Sequence, residues 1–160
     1  SYQLNKPIKV CHSTTNRHYK GTDTIIPVCE KLKAEGKIEF KLIENRPHKK
    51  ALKLKSECDI FIDQVHNRGG WGYGMNSIEA LSMGLCCFTE LVPEYVEFIP
   101  DHPFINVNGE NLYSTLIQIL DNPEKIQHHK KLGREWVVNK HDLTYTAEKL
   151  YEFYHDKGWL

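Results

Sequence analysis

A chain of 160 residues suits one domain of ordinary size and is too short for two full ones. Its 21 Lys and Arg balance its 21 Asp and Glu, so there is no global basic field to hold a polyphosphate backbone, and nucleic acid is disfavoured as the main partner. With 40% apolar and 26% charged residues, the composition is that of a folded globular protein.

No apolar run approaches the roughly 18 residues that a membrane span requires. The opening SYQLNKPIKV lacks the charged and apolar regions of a signal peptide. Five cysteines, Cys11, Cys29, Cys58, Cys86 and Cys87, form an odd set with no C-x-x-C spacing, most of them among apolar neighbours, as buried free thiols are. A reducing cytoplasm is the expected compartment.

In chain order, short apolar runs bounded by Gly, Pro, Asn or Asp alternate with longer amphipathic ones. After a linker-like stretch of seven residues, strands are predicted at Ile8–Ser13, Ile38–Glu44, Asp59–Gln64, Cys86–Glu90 and Phe104–Asn108. Helices are predicted at about Asp23–Glu35, Pro47–Glu57, Met75–Met83, Glu110–Leu120, Pro123–Asn139 and Thr144–Asp156. Strands separated by helices of this length imply a parallel sheet covered on both faces. The expected fold is therefore a doubly wound, Rossmann-like, three-layer α/β/α domain with extra C-terminal helices. Its predicted sheet has five or six strands in the order 3-2-1-4-5. Ligands of such sheets bind beyond the carboxyl ends of the strands, so His12–Gly21, Val65–Gly74 and Thr89–Pro100 are the loops expected to carry function.

Two of these loops could hold a phosphate. Arg17 and Lys20 stand three residues apart just before Gly21. Arg offers a planar fork to phosphate oxygens, Lys a compact charge, and Gly a close backbone approach, although an isolated R-x-x-K-G is also what a solvated basic loop contains. The segment Arg68-Gly69-Gly70-Trp71-Gly72-Tyr73-Gly74 has four glycines in seven residues and opens into a helix at Met75. Free backbone N–H groups and the positive end of the helix dipole there would suit an anion. Glu79 comes about one turn further in, where a carboxylate can accept hydrogen bonds from a ribose diol or simply face solvent.

Four features in this order resemble the C-terminal, nucleotide-sugar-binding domain of a family 4 (group 1) glycosyltransferase of GT-B architecture. They are Arg17 with Lys20-Gly21-Thr22-Asp23; the strand Cys58-Asp59-Ile60-Phe61-Ile62-Asp63-Gln64; Gly72-Tyr73-Gly74 with Ile78-Glu79-Ala80-Leu81-Ser82-Met83-Gly84; and terminal helices including Asp121-Asn122-Pro123-Glu124. The likeness covers about residues 6–155. It implies that Arg17 and Lys20 clamp the donor pyrophosphate as catalytic cations, with no cofactor and no protein-held metal. Glu79 would bind the ribose hydroxyls, and backbone N–H groups around Tyr73, Gly74 and Met75 would cap the phosphates beside Gly72. The family commonly carries a first glutamate where this chain has Trp71, whose ring cannot accept hydrogen bonds but can pack on a sugar or base.

What the resemblance implies for function is transfer of a sugar, with retention, from a nucleotide diphosphate sugar to a glycan or lipid-linked acceptor, as in polysaccharide biosynthesis. The acceptor-binding N-terminal domain is expected to be missing from this chain, which would by itself bind donor and transfer poorly. Two alternatives stay open: a nucleotide-sugar-binding module without chemistry, and a GT-B-type nucleotide-sugar epimerase.

Weaker signals complete the reading. His12 ends the first strand, where it could touch a donor or serve as a core histidine, and His66 poses the same choice. Of nine histidines only His128 and His129 are adjacent, and neighbours on a helix diverge by about 100°, which argues against a metal site. Arg46, Lys49, Lys50, Lys53 and Lys55 read as a solvated face, or as a patch for peripheral contact with anionic lipid. Tyr145, Tyr151, Phe153 and Tyr154 read as packing residues of the last helix, in part against the missing domain.

Overall fold

The computed structural model describes residues 4–68 and 72–160. Within these residues five strands form one all-parallel sheet: β1 (Ile8–Ser13), β2 (Ile38–Ile43), β3 (Ile60–Ile62), β4 (Cys86–Thr89) and β5 (Ile105–Asn106). Among the described residues eight helices accompany it: α1 (Arg17–Lys20), α2 (Thr22–Ala34), α3 (His48–Ser56), α4 (Met75–Ser82), α5 (Pro93–Phe98), α6 (Leu112–Leu120), α7 (Pro123–His141) and α8 (Leu143–Asp156). All five predicted strands and six predicted helices are present, and the fold is the expected doubly wound α/β class. The single turns α1 and α5 are additions, too short to show a helical period in the sequence.

Side chains leave a strand alternately to its two faces, and both faces here are apolar. Val10, Ile60, Ile62, Cys86 and Phe88 point to one side, where Ile25, Cys29 and Leu32 of α2 and Leu112, Leu116 and Ile119 of α6 cover them. Cys11, Phe61 and Cys87 point to the other, under Ala80 and Leu81 of α4 and Trp136 and Val137 of α7. The buried positions of α2 and α6 recur every three or four residues, the spacing of one helix face. All five cysteines are buried free thiols, as expected.

The strand order is β2-β1-β3-β4-β5, which corrects the predicted 3-2-1-4-5. β3 is buried along its whole length, whereas β2 alternates buried Ile38 with exposed Glu39 and only half-covers Phe40 and Lys41. A strand with polar positions tolerates the sheet edge and a wholly apolar one does not, so β2 takes the edge and β3 the centre. Register follows, with Val10 opposite both Phe40 and Ile60. Because the chain steps from β1 outward to β2 and then back past β1 to β3, the topological switch point lies between β1 and β3.

A second correction concerns α8. None of its residues is buried, and Leu143, Tyr151, Trp159 and Leu160 are each more than half exposed. The aromatic stripe does not pack on this domain beyond local pairs such as Phe153 with Trp159. Among the described residues no helix is long and apolar enough to cross a membrane.

Candidate functional site

A cleft of about 330 Å³ opens beside the switch point, lined by Ser13, Thr14 and Thr15 after β1, Lys20, Glu44–Arg46 after β2, His48 and Lys55 of α3, and Met75, Asn76 and Glu79 of α4. The loop after β4, expected to share in the site, contributes none of these residues. The loop after β2, which was not expected to, supplies one wall.

The floor of the cleft is built by the turn after β1. Asn16 caps α1, its side chain accepting from the Tyr19 N–H at 3.2 Å. Gly21, at φ 64°, then redirects the chain into α2. A Cβ at Gly21 would lie 2.1 Å from the Val65 carbonyl oxygen, so this close approach of two loops requires glycine. Lys20 is held from behind, its Nζ 2.5 Å from Asp63 Oδ1 and 3.3 Å from Gln64 Oε1. Asp63 is fully buried and accepts a further hydrogen bond from Ser77 Oγ of α4. Arg17, expected beside Lys20, does not line the cleft: its fork lies on Glu44, Nη2 to Oε2 at 2.7 Å, and it borders a separate surface depression with His18, Thr22 and Asp23.

The glycine-rich loop is fastened at its exit. Gly72 has φ 96°, and its carbonyl accepts from Gln64 Nε2 at 3.0 Å and Thr89 Oγ1 at 2.9 Å. Tyr73 turns away from the cleft into an aromatic group with Tyr95, Phe104 and Trp136. Gly74 precedes α4 and has no side chain with which to cap it. The Ser77 and Ile78 N–H groups donate to the Gly74 carbonyl, so the helix start that borders the cleft is Met75 and Asn76, whose N–H groups have no partner inside the helix. Trp71 lies outside the described residues.

Glu79 sits one turn inside α4, as its position predicts, but it is neither a solvated residue nor free of salt bridges. His48 Nε2 lies 2.7 Å from Oε1 and Lys55 Nζ 2.8 Å from Oε2. Burial pushes its carboxyl upward, and the hydrogen bonds from Lys55 and His48 outweigh that and hold it below the usual carboxylate range. Lys55 also donates to Asn76 Oδ1, and Asn76 Nδ2 donates to the Ser13 carbonyl at 2.8 Å. The carboxylate of Glu79 is thereby tied to the end of β1.

No family model matches the chain, and no curated protein matches it. Among solved structures it is similar to the glycotransferase of kitacinnamycin, with a TM-score of 0.53 and 18% identity over 94% of this chain. The likeness spans 44% of that protein's length, so this chain corresponds to less than half of it. The fold is glycosyltransferase-like.

Within this glycosyltransferase-like fold, Lys20, Met75 and Glu79 converge on one cleft, while Arg17 stays outside its lining, joined to Glu44, which belongs to it. His12 does not. It is fully buried, with Nδ1 2.8 Å from the Ile62 carbonyl and Nε2 2.7 Å from Thr22 Oγ1. Burial holds its pKa below the ordinary histidine value, and both ring nitrogens are occupied in the core. Among the described residues no group of three His, Cys, Asp or Glu could hold a metal ion.

Four contributors escaped the sequence reading: Glu44, His48, Asn76 and above all Lys55. Lys55 is 1% exposed, which corrects its assignment to a solvated basic face. Lys49, Lys50 and Lys53 are exposed. The available signal was phase, since Ala51, Leu54 and Lys55 share a helix face while Lys49 and Lys53 fall on the opposite one.

Proposed function

We propose that this chain is the donor-binding domain of a glycosyltransferase, similar to the C-terminal domain of the family 4 GT-B enzymes, and that its cleft holds a nucleotide diphosphate sugar. The observation that carries this reading is the meeting of three complementary groups at the switch point. These are a fixed cation, Lys20, with Arg17 held nearby on Glu44; the uncapped start of α4; and an ionised carboxylate, Glu79, one turn, or about 5.4 Å, further along.

In this reading the pyrophosphate lies over the α4 N-terminus, where backbone N–H groups and the helix dipole favour negative charge. Lys20 and Arg17 add charge-assisted hydrogen bonds and stabilise the charge that develops on the departing nucleoside diphosphate. Glu79 accepts from the ribose hydroxyls. The sugar then passes with retention to a glycan or lipid-linked acceptor, bound mainly by a second domain. The chemistry proposed requires no cofactor and no metal held by these residues.

Calorimetry with UDP, GDP and ADP tests the reading, with inorganic pyrophosphate as the control. Glu79→Gln turns half of the acceptor capacity into donors and is expected to weaken the best nucleotide by roughly tenfold or more while leaving pyrophosphate nearly unchanged. Arg17→Ala is expected to weaken both. If none of the nucleotides binds, or if Glu79→Gln affects nucleotide and pyrophosphate alike, the assignment of the cleft is wrong.

A further inference from the structure

Lys55 is among the largest fully buried side chains of the described residues, beside Phe61 and Phe88. A buried cation is costly unless several acceptors meet it, and an apolar residue of similar volume commonly fills such a space at no loss of stability. The presence of lysine here therefore calls for an explanation in what it holds. Its ammonium lies 5.0 Å from the centroid of the Phe61 ring, which forms a floor beneath it. Above it the ammonium donates to Glu79 Oε2 at 2.8 Å and to the Asn76 side-chain oxygen. Both acceptors line the cleft, on the first two turns of α4.

On the reading of the cleft as a nucleotide site, we infer that Lys55 is a positioning residue for recognition of the ribose, setting the Glu79 carboxylate from beneath so that its open lone pairs face the diol. The two partners of Glu79 differ in kind. His48 is 72% exposed on its side chain and approaches Oε1 from solvent, while Lys55 approaches Oε2 from the core. An incoming diol can displace an exposed imidazole at little cost. It cannot displace a lysine that has no other place to go, so Lys55 fixes the rotamer that persists when ligand arrives.

The test compares wild type, Lys55→Met, Glu79→Gln and the double variant. Lys55→Met keeps length and removes charge, and is expected to weaken the tightest of UDP, GDP and ADP roughly ten- to hundredfold, with inorganic pyrophosphate changed less than about twofold. In the Glu79→Gln background the same substitution should lose less than about threefold, because the residue acts through Glu79. A second readout is the titration of the Glu79 carboxyl by carbon-13 NMR, without ligand. The titratable groups facing it are Lys55 and His48, and Lys20, Glu44 and Arg46 line the same cleft. Loss of Lys55 leaves burial opposed by His48 alone, so the carboxyl should titrate at higher pH than in wild type. The acid limb of nucleotide binding should move up with it.

An unmoved Glu79 titration, or equal losses for nucleotide and pyrophosphate, would overturn the inference. So would additive losses in the double variant. Should Lys55→Met not fold, Lys55→Gln keeps a donor and is judged by the same titration. If Glu79→Gln itself leaves nucleotide binding intact, the reading of the cleft fails, and an upward move of the Glu79 titration would then leave only an ion pair that orders α4.

Discussion

Arg17 and Glu44 are joined by three hydrogen bonds, Nη2 to the two carboxylate oxygens at 2.7 and 2.9 Å and Nε to Oε1 at 3.2 Å. Glu44 lines the cleft, so the guanidinium fork that a diphosphate would use is matched to a carboxylate at the rim. Any anion must compete with Glu44 for it. Glu44→Gln removes the competing charge and is expected to tighten nucleoside diphosphate binding about two- to fivefold, the scale of an exposed ion pair. The gain should shrink as salt is raised from 0.05 to roughly 0.5 M, because exposed charges are screened. Calorimetry at the two salt concentrations checks it, and unchanged or weaker binding in the variant would show that Glu44 does not compete.

At the opposite end of the sheet, Asp59 is buried and accepts from Lys130 Nζ at 3.2 Å, Asn5 Nδ2 at 2.9 Å and the Lys9 N–H at 3.0 Å. Asp59→Ala leaves Lys130 charged and unpaired in the interior, which is expected to cost about 3–5 kcal/mol of stability. Adding Lys130→Met should recover much of that. Urea unfolding measures both, and nucleotide affinity of the folded Asp59→Ala protein should stay within about twofold of wild type.

Gly21 and Gly36 both have positive φ, 64° and 71°, but only Gly21 has a neighbour, the Val65 carbonyl, where a Cβ would be. Gly36→Ala meets open space and should cost only the left-handed backbone penalty, about 1–2 kcal/mol. Gly21→Ala should cost distinctly more, and should also weaken pyrophosphate binding by displacing Lys20. Equal thermal shifts for the two variants would mean that the Val65 contact relaxes without strain.

His12, His102, His129 and His141 all have their pKa values held below the ordinary histidine value by burial. The unfolded chain therefore takes up protons that the folded one refuses. Stability from this source is complete above about pH 6.5 and falls as pH drops below it, by about 1.4 kcal/mol per pH unit for each proton bound only by the unfolded chain. Thermal unfolding between pH 7.5 and 5 should show that decline. His12→Asn should flatten it, and an unchanged profile in that variant would mean that His12 binds its proton equally in both states.

Much of this was legible in the sequence for identifiable reasons. Strands such as Ile8–Ser13 and helices such as Thr22–Ala34 carry their period and their bounding Gly, Pro or Asp within a dozen residues. So does the placement of Glu79 one turn past Gly74. Strand order is different, since it depends on which of two apolar runs is buried on both sides. The alternation Ile38, Glu39, Phe40, Lys41 holds that information, but the same alternation is what marks any half-covered strand. The partners of Glu79 come from α3, which reaches the cleft only because β2 lies at the edge. With the third strand beyond the second, as in the order 3-2-1-4-5, Lys55 has no route to the site.

Trp136 and Val137 belong to the core beneath α7, in the same cluster as Phe61, Leu81, Leu85 and Phe104. That single layer has a consequence for how the chain is made. A ribosome releases residues in order, and β1 to β5 are complete by Asn106, yet one face of the sheet has no full cover until some thirty residues more have emerged. During that interval Leu81 and Phe104 remain without their outer neighbours, and Asp59 lacks the lysine it is paired with 71 positions later. The nascent protein therefore passes through a stage with its parallel sheet formed on one side only, when chaperone capture and premature self-association compete with docking of α7. The exposure lasts until α7 has emerged and docked.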